Sequence, residues 1–160
     1  MEIFTTPRIF RESLTRKLFG NFLISVNNED KCIGIIRKLK AHSNKYIYDQ
    51  KSYPHRAFTI LLWNMKGEML IQKRSNVKMT FPNYWSNTCC SHPIFFPSNL
   101  IQYNQIGIKR AAIERLQVEL GISKIKSNDL KLFSKILYKA KSNNIYGEYE
   151  CFNKKMIIFF

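Results

Sequence analysis

Residues 107–121 read GIKRAAIERLQVELG, and this stretch decides the fold because it is the clearest helix in the chain. Its apolar residues recur at four-residue spacing: Ile108, Ala112, Leu116 and Leu120. Side chains at this spacing lie on one face of an α-helix, and a glycine directly after the last of them is a typical helix end. The pattern predicts a helix over Gly107–Leu120, ended by Gly121.

The predicted sheet comes from short β-favouring runs on both sides of this helix. Upstream, the runs form two hairpins: Phe22–Val26 with Lys31–Arg37 around the turn Asn27–Asp30, and Ala57–Trp63 with Met69–Lys73 around the turn Asn64–Glu68. Downstream we predict strands at Leu130–Tyr138 and Tyr146–Cys151, and the apolar tail Lys154–Phe160 is either a last strand or a frayed end. This order predicts an α+β or α/β sandwich with a mixed β-sheet.

Two stretches lack a regular pattern and are predicted to be loops. The first, His42–Pro54, is polar and aromatic, and the second, Ser75–Leu100, contains three prolines, several aromatic residues and two adjacent cysteines. Long loops in compact domains are usually functional or disordered, and aromatic content argues against disorder. We therefore expect Ser75–Leu100 to carry functional residues.

The composition describes one basic globular domain. The chain has 160 residues and a formal net charge of +15, from 26 Lys and Arg against 11 Asp and Glu. We expect residues 1–20 to form an N-terminal extension and residues 21–160 to form a single domain. A surface this basic attracts anions. No run of Lys and Arg reaches five residues, which disfavours a nucleic-acid partner and leaves anionic lipid or phosphorylated small molecules.

The sequence also predicts the compartment. No apolar run is long enough to span a bilayer, and the adjacent cysteines Cys89 and Cys90 are a poor start for a disulfide framework. We expect a monomer in a reducing compartment, the cytoplasm. Because residues 1–20 are basic and contain several Ser and Thr, they resemble a weak transit peptide, so a mitochondrion or another organelle is the alternative.

The three histidines of the chain, His42, His55 and His92, all lie near candidate chemistry. Neutral imidazole is a common metal ligand, although a single histidine is more often a surface or core residue. Glu148 and Glu150 are two residues apart on a predicted strand and therefore share one face. Two carboxylates on one face repel each other unless a cation or a proton lies between them. A solvated strand face is the alternative.

The remaining candidates are a thiol and several charged side chains. Cys90 lies near the third histidine, where it could act as an acid, a base or a nucleophile, and a buried structural thiol is the alternative. Arg74 and Lys78 are four residues apart near a loop and could hold a diphosphate. Arg115 and Glu119 share a helix face, where a surface ion pair explains them equally well.

Short motifs that combine these residues are spread between residues 55 and 150. They are His55-Arg56-Ala57-Phe58, Gln72-Lys73-Arg74-Ser75, Thr80-Phe81-Pro82, Asn87-Thr88-Cys89-Cys90-Ser91-His92-Pro93, Glu119-Leu120-Gly121 and Gly147-Glu148-Tyr149-Glu150. Together they resemble the type I isopentenyl-diphosphate isomerases, over roughly Phe22 to Glu150. The resemblance implies a Nudix-like mixed sheet in which Gly107–Leu120 is the counterpart of the Nudix helix. This helix keeps only Glu119 of that motif's acids, which disfavours ordinary Nudix hydrolysis of a diphosphate.

The resemblance implies an enzyme of isoprenoid biosynthesis that interconverts isopentenyl diphosphate and dimethylallyl diphosphate. Protonation and deprotonation would proceed through a tertiary carbocation. The catalytic residues implied are Cys90 and, on the opposite face of the substrate, Glu150 and Tyr138. The implied diphosphate-binding residues are Lys38, Arg74, Lys78 and Arg115. The implied ligands of a Zn²⁺ or Mn²⁺ ion are His42, His55, His92, Glu148 and Glu150, and Glu119 is the implied ligand of Mg²⁺ bridging to the diphosphate.

The chain also departs from the family pattern. The family continues well beyond the counterpart of Glu150, so we expect a domain that is incomplete at its C-terminus, with exposed sheet edges and low solubility. The resemblance implies an active-site Trp in that C-terminal part. Neither Trp63 nor Trp85 can be its counterpart, since both lie far upstream of Glu150. Asn83 replaces a glycine in a turn that needs positive φ, which Asn tolerates better than most residues. An inactive or truncated relative and a Nudix-type hydrolase are the alternative functions.

Overall fold

A mixed β-sheet forms the centre of the described structure, a computed structural model that covers residues 21–159, with the backbone alone for residues 152–157 and 159. The strands are β1 (Phe22–Val26), β2 (Cys32–Arg37), β3 (His55–Trp63), β4 (Gln72–Lys73), β5 (Trp85–Ser86), β6 (Cys89–Ser91), β7 (Lys131–Lys141) and β8 (Gly147–Phe159). The α-helices are α1 (Lys38–Ala41), α2 (Asn44–Ile47), α3 (Pro97–Leu100) and α4 (Ile106–Leu120). The predicted extension over residues 1–20 lies outside the described residues.

The main sheet has the order β2-β1-β3-β8-β7, with β6 also paired to β3. Strands β3 and β8 run parallel, and the other pairs are antiparallel. The predicted mixed sheet and α+β class are therefore confirmed. The register of the central pair places His55 beside Glu150, so two of the predicted site residues become neighbours through strand pairing alone.

The predicted helix is confirmed as α4, and it covers one face of the sheet. Its residues Ile108, Ala112 and Leu116 are buried against Phe58 and Ile60 of β3. Small residues at Ala111 and Ala112 allow the helix to approach the sheet closely. Gly121 ends the helix in the left-handed conformation at φ 69° and donates a backbone hydrogen bond to the Gln117 carbonyl, a standard helix C-terminus.

The first predicted hairpin is confirmed as β1 and β2. Its turn is held by the side chain of Asn27, whose Oδ1 accepts hydrogen bonds from the backbone N–H groups of Glu29 and Lys31. Asp30 completes the turn at φ 65°, a conformation that Asn and Asp adopt more readily than most residues. Asn83 likewise adopts φ 64°, as predicted for the position where it replaces glycine.

The second predicted hairpin is wrong beyond its turn. Met69 forms a single bridge to Trp63, but Gln72–Lys73 then pairs with Trp85–Ser86 in a separate two-stranded sheet. A hydrogen bond from the Leu70 N–H to the Leu62 carbonyl is the last one between the two arms. The chain diverges there because β6 occupies the pairing positions opposite Phe58–Ile60.

The predicted loops contain more regular structure than expected. His42–Pro54 includes the single turn α2, whose N-terminus is capped by the Ser43 side chain. Ser75–Leu100 includes β5, β6 and α3. Such one-turn helices and three-residue strands are too short to leave a periodic pattern in the sequence. The tail continues as strand to Phe159, which decides between the two alternatives for Lys154–Phe160.

Candidate active site

Alternate side chains of β3 serve two different purposes. Phe58, Ile60 and Leu62 belong to the apolar core under α4. On the other face of the strand, His55 contacts Glu150 and Thr59 contacts Cys90. This second face borders a cavity of about 740 Å³. Most of the predicted site residues line it: Lys38, His42, Arg74, Lys78, Cys90, His92, Arg115, Tyr138, Glu148 and Glu150.

Three imidazoles and one carboxylate form a cluster beside the cavity. The ring centres of His42, His55 and His92 lie 4.7–5.1 Å apart. Glu150 Oε1 lies 2.7 Å from His92 Nε2 and 3.5 Å from His55 Nε2. One ligand atom from each of these four residues lies within 4.8 Å of the others. The structure thus brings together four of the five residues predicted to hold the Zn²⁺ or Mn²⁺ ion.

Close backbone packing holds His42 in place. Its Nδ1 donates a hydrogen bond to the Gly147 carbonyl, and the Gly147 N–H donates back to the His42 carbonyl. A Cβ at position 147 would lie 2.4 Å from the Ala140 carbonyl oxygen, so only glycine allows this approach. With its proton on Nδ1, His42 presents the lone pair of Nε2 to the cluster.

Electrostatics favours the neutral imidazoles of His42 and His92 and an ionised Glu150. Burial lowers the pKa of His42 to about 3 and also lowers the pKa of His92. For Glu150, burial alone would raise the pKa, but His92 and His55 outweigh burial and hold it well below the ordinary value. Neutral imidazole nitrogens and a carboxylate are the form in which these groups bind metals.

The cluster fits a divalent cation. Within the described residues, the buried nitrogens His42 Nε2 and His55 Nε2 have no hydrogen-bond partner, and burying an unpaired polar atom is unfavourable. A cation bound by the four residues would satisfy both atoms. Nitrogen and carboxylate oxygen ligands suit Zn²⁺ and Mn²⁺, so the donor set supports a divalent ion without selecting one.

Glu148 lies next to the cluster but is engaged elsewhere. Thr80 Oγ1 donates a 2.7 Å hydrogen bond to Glu148 Oε1, and Tyr138 Oη donates a short one to Glu148 Oε2. Tyr138 Oη also lies 3.3 Å from Glu150 Oε2 and so links the two carboxylates. Burial and the charge of Glu150 raise the pKa of Glu148. The predicted shared face of Glu148 and Glu150 is confirmed, and here a phenol proton lies between the two carboxylates.

Adjacent cysteines lie on opposite faces of the sheet. Cys89 is fully buried in the apolar core and its Sγ donates to Glu119 Oε2 over 3.3 Å. Cys90 lines the cavity, with its Sγ 2.6 Å from Thr59 Oγ1. Burial raises the pKa of both thiols, so each is protonated at neutral pH. Cys90 therefore offers the cavity an S–H group.

The predicted diphosphate-binding residues form the basic part of the cavity. Burial, followed by the charges of Lys78 and Arg115, lowers the pKa of Lys38, and all three cations line the cavity. Arg74 donates hydrogen bonds to the carbonyls of Thr80 and Phe81, so part of its guanidinium supports the loop. Lys78 and Arg115 both contact Glu119.

Glu119, the predicted Mg²⁺ ligand, lies at the edge of this basic group. Its carboxylate accepts hydrogen bonds from Arg115 and from the Cys89 thiol. Burial would raise its pKa, but the Arg115 guanidinium outweighs burial and lowers it. Glu119 is thus ionised and part of a pair with Arg115, as the alternative interpretation of the sequence expected. Its role as a magnesium ligand stays a prediction.

Sequence reasoning missed polar residues that surround the thiol. Ser86, Thr59 and Asn87 lie around Cys90 Sγ. Thr59 could have been found, because it follows His55 at an even spacing on the same strand and so shares its face. Trp85 also lines the cavity, although the sequence had only excluded it as the counterpart of the family's active-site Trp.

The profile of the NUDIX domain matches residues 53–160, which include β3, α4, β7 and β8. The chain therefore belongs to the Nudix family.

Curated relatives show which Nudix proteins the chain is similar to. The chain is 40% identical over 149 residues to "Isopentenyl-diphosphate Delta-isomerase 1" of Mus musculus, covering 90% of this chain and 65% of the relative. It is 44% identical over 130 residues to "Isopentenyl-diphosphate delta-isomerase 2" of Homo sapiens, covering 80% and 56%. A chloroplastic "Isopentenyl-diphosphate Delta-isomerase II" of Arabidopsis thaliana is 41% identical over 137 residues, covering 84% and 48%. The chain thus spans about half to two thirds of the length of these relatives.

The resemblance predicted from the motifs is confirmed by these matches. Among solved structures, a Deinococcus radiodurans protein superposes with a TM-score of 0.49 and 16% identity, over 87% of this chain and 72% of that chain. A likeness at this level carries no argument about function. Within residues 21–159, no helix is long and apolar enough to cross a membrane.

Proposed function

We propose that this chain carries the catalytic core of an isopentenyl-diphosphate isomerase. The observation that carries the proposal is the meeting of a thiol, a carboxylate and a basic group in one cavity: Cys90, Glu150 and the cations Lys38, Lys78 and Arg115. The identity of 40–44% to curated isomerases supports the same assignment.

The substrate has two parts with opposite needs. Its diphosphate is an anion that Lys38, Arg74, Lys78 and Arg115 attract, and Arg can bind phosphate oxygens through two parallel N–H groups. Its five-carbon part is apolar. Side chains such as Val77, Phe81 and Ile136 line the same cavity and are suited to that part.

The isomerisation requires two proton transfers at different carbons. One group adds a proton to the terminal CH₂ carbon of the alkene, which leaves a tertiary cation. Another group removes a proton from the CH₂ group next to the cationic carbon, and a new double bond forms between these two carbons. In our assignment Cys90 serves one of these transfers and Glu150 the other, with Tyr138 Oη 3.3 Å from the Glu150 carboxylate. The acid and base then exchange protons before the next turnover, so no atoms are gained or lost.

We propose that His42, His55, His92 and Glu150 are the metal ligands. Glu148 lies beside them and accepts a hydrogen bond from Tyr138. A divalent cation there would supply positive charge that orients Glu150 and favours its ionised form. We propose Zn²⁺ or Mn²⁺ at this cluster and Mg²⁺ at Glu119.

We further propose that residues 21–160 form one domain, that the protein is a monomer, and that it is located in the cytoplasm or in an organelle.

The decisive experiment follows isopentenyl diphosphate in D₂O by proton NMR, with the purified chain, Mg²⁺ and Mn²⁺. We expect dimethylallyl diphosphate that carries deuterium, formed about 10³-fold more slowly by Cys90→Ala. Folding of both proteins is checked by circular dichroism. A folded, metal-loaded chain that forms no deuterated product would overturn the proposed activity. Release of inorganic phosphate that survives Cys90→Ala would instead favour a Nudix-type hydrolase.

A further inference from the structure

Thr59 is a buried polar residue in the middle of β3. It is 3% exposed, and the antiparallel pairing of β3 with β6 places it directly opposite Cys90. Its Oγ1 lies 2.6 Å from Cys90 Sγ. Because the contact follows from the strand register, it belongs to the fold and does not depend on one flexible side chain.

Thr59 Oγ1 has two hydrogen-bond partners, Asn87 and Cys90. Asn87 Nδ2 donates to Thr59 Oγ1 over 3.2 Å, and this contact uses a lone pair of the hydroxyl. A hydroxyl has a single proton to donate. Within residues 21–159, the other recorded partner of Thr59 Oγ1 is Cys90 Sγ. Since the contact with Asn87 leaves this proton unused, the Thr59 hydroxyl is able to donate it to Cys90 Sγ.

The other polar groups near the sulfur are more distant. Ser86 Oγ and Asn87 Nδ2 both lie 3.9 Å from Cys90 Sγ, at the outer limit for hydrogen bonds to sulfur. Thr59 is thus the closest of these polar partners and the one whose own orientation is controlled by a second residue, Asn87.

We propose that Thr59 is a positioning residue for the reaction. Its hydroxyl, oriented by Asn87, donates a hydrogen bond to Cys90 Sγ and holds the sulfur at the cavity wall. When the S–H proton passes to the alkene carbon, the S–H bond breaks, a C–H bond forms, and the sulfur keeps the electron pair. The Thr59 hydroxyl then faces that electron pair as a donor. The kinetic consequence rests on the proposed isomerase function, whereas the position of the sulfur does not.

The kinetic test compares Thr59→Val with Thr59→Ser. Valine keeps the branched shape and removes the hydroxyl, so we expect kcat to fall about tenfold, the size of a hydrogen bond to a charged group, with KM changed less than about twofold. Serine keeps the hydroxyl and should retain kcat within about threefold. A purely structural role would instead lower the melting temperature in both variants without this separation of kcat from KM.

Thr88→Val is the matched control. Thr88 is a fully buried threonine near Cys90, and its hydroxyl donates to the Leu70 carbonyl and accepts from the Leu62 N–H. It does not line the cavity. We expect a lower melting temperature and an unchanged kcat. An equal fall of kcat in Thr88→Val and Thr59→Val would mean that loss of any buried hydroxyl explains the effect, and would overturn the proposal.

Crystal structures of the two Thr59 variants test the sulfur position without any assay. In Thr59→Val, a methyl group replaces the hydroxyl, so Cys90 Sγ should leave its position, while in Thr59→Ser it should stay. A sulfur that does not move in Thr59→Val would overturn the positioning role. If the wild-type chain shows no turnover, the proposed function fails, and the crystal structures alone decide whether Thr59 holds the sulfur.

Discussion

The two faces of the sheet around β3 differ in almost every property. One face packs Phe58, Ile60 and Leu62 against α4 and forms an apolar core. The opposite face carries His55 and Thr59 and borders an open cavity with buried charges. Since side chains alternate along a strand, neighbouring residues belong to different environments. In β3, the even-numbered positions therefore contribute to stability and the odd-numbered positions to the candidate site.

The adjacent cysteines test the difference between the two faces most directly, because Cys89 lies in the core and Cys90 lines the cavity. Replacing Cys90 by Ala should lower the isomerisation rate about 10³-fold, because a positioned acid or base contributes roughly 10²–10⁴-fold. Cys89→Ala should retain activity and lose about 1 kcal/mol of the free energy of unfolding, a common cost for a buried truncation. NMR turnover and urea denaturation of both variants measure these effects. If both lost activity equally, the division between the faces would be broken.

A second experiment acts on the apolar face. Leu116 is fully buried between α4 and the sheet, so Leu116→Ala should lower the free energy of unfolding by about 3 kcal/mol. The matched control is Val118→Ala on the same helix, where the side chain is 57% exposed and the change should stay within about 0.5 kcal/mol. Urea denaturation monitored by circular dichroism distinguishes the two. Equal losses would show that the helix face assignment is wrong.

The third experiment acts on the polar face through its metal cluster. A divalent ion that binds only the folded chain should stabilise it by about 2.7 kcal/mol at one hundred times its dissociation constant. His92→Ala should abolish most of this gain, since His92 belongs to the cluster. Cys90→Ala, which lies outside the cluster, should keep the gain. The melting temperature with Zn²⁺ or Mn²⁺, before and after EDTA, is the measurement, and a gain that survives His92→Ala would place the ion elsewhere.

The smallest expected effect concerns the C-terminal end of α4, the helix that covers the apolar face. Gly121 has φ 69°, a conformation that costs a side chain about 1 kcal/mol. Gly121→Ala should therefore lower the free energy of unfolding by about that amount, and Gly121→Asn by less, because Asn tolerates this conformation. Isomerase activity should remain in both variants. Equal stability of all three proteins would show that the helix does not end in this geometry.

Local patterns predicted the elements with their own strong signals. The four-residue spacing in 107–121, the turn at Asn27–Asp30 and the glycine helix end are short-range features, and each is confirmed. The second hairpin failed because the arms of a hairpin compete with other strands for pairing. Here β6 pairs with β3. The sequence of residues 64–73 gives no sign that residues 89–91 will occupy these pairing positions.

The candidate site shows the same division. The motifs around His55, His92 and Glu150 were sufficient to select these residues, and the relatives confirm the family resemblance. They were not sufficient to select Thr59 or Trp85, whose places in the cavity depend on strand register and on the path of a loop. Nor did they show that Glu148 is hydrogen-bonded to Thr80 and Tyr138.

Spacing along the chain was enough to predict the helix, the first hairpin, the family resemblance and the residue types of the site. Which side chains meet depends instead on the tertiary fold. His55 lies beside Glu150 and Thr59 beside Cys90 because two strands, one parallel and one antiparallel, pair with β3 in a particular register. Register is a property of contacts between distant segments. A shift by one residue would exchange the two faces of the sheet and take the cluster apart.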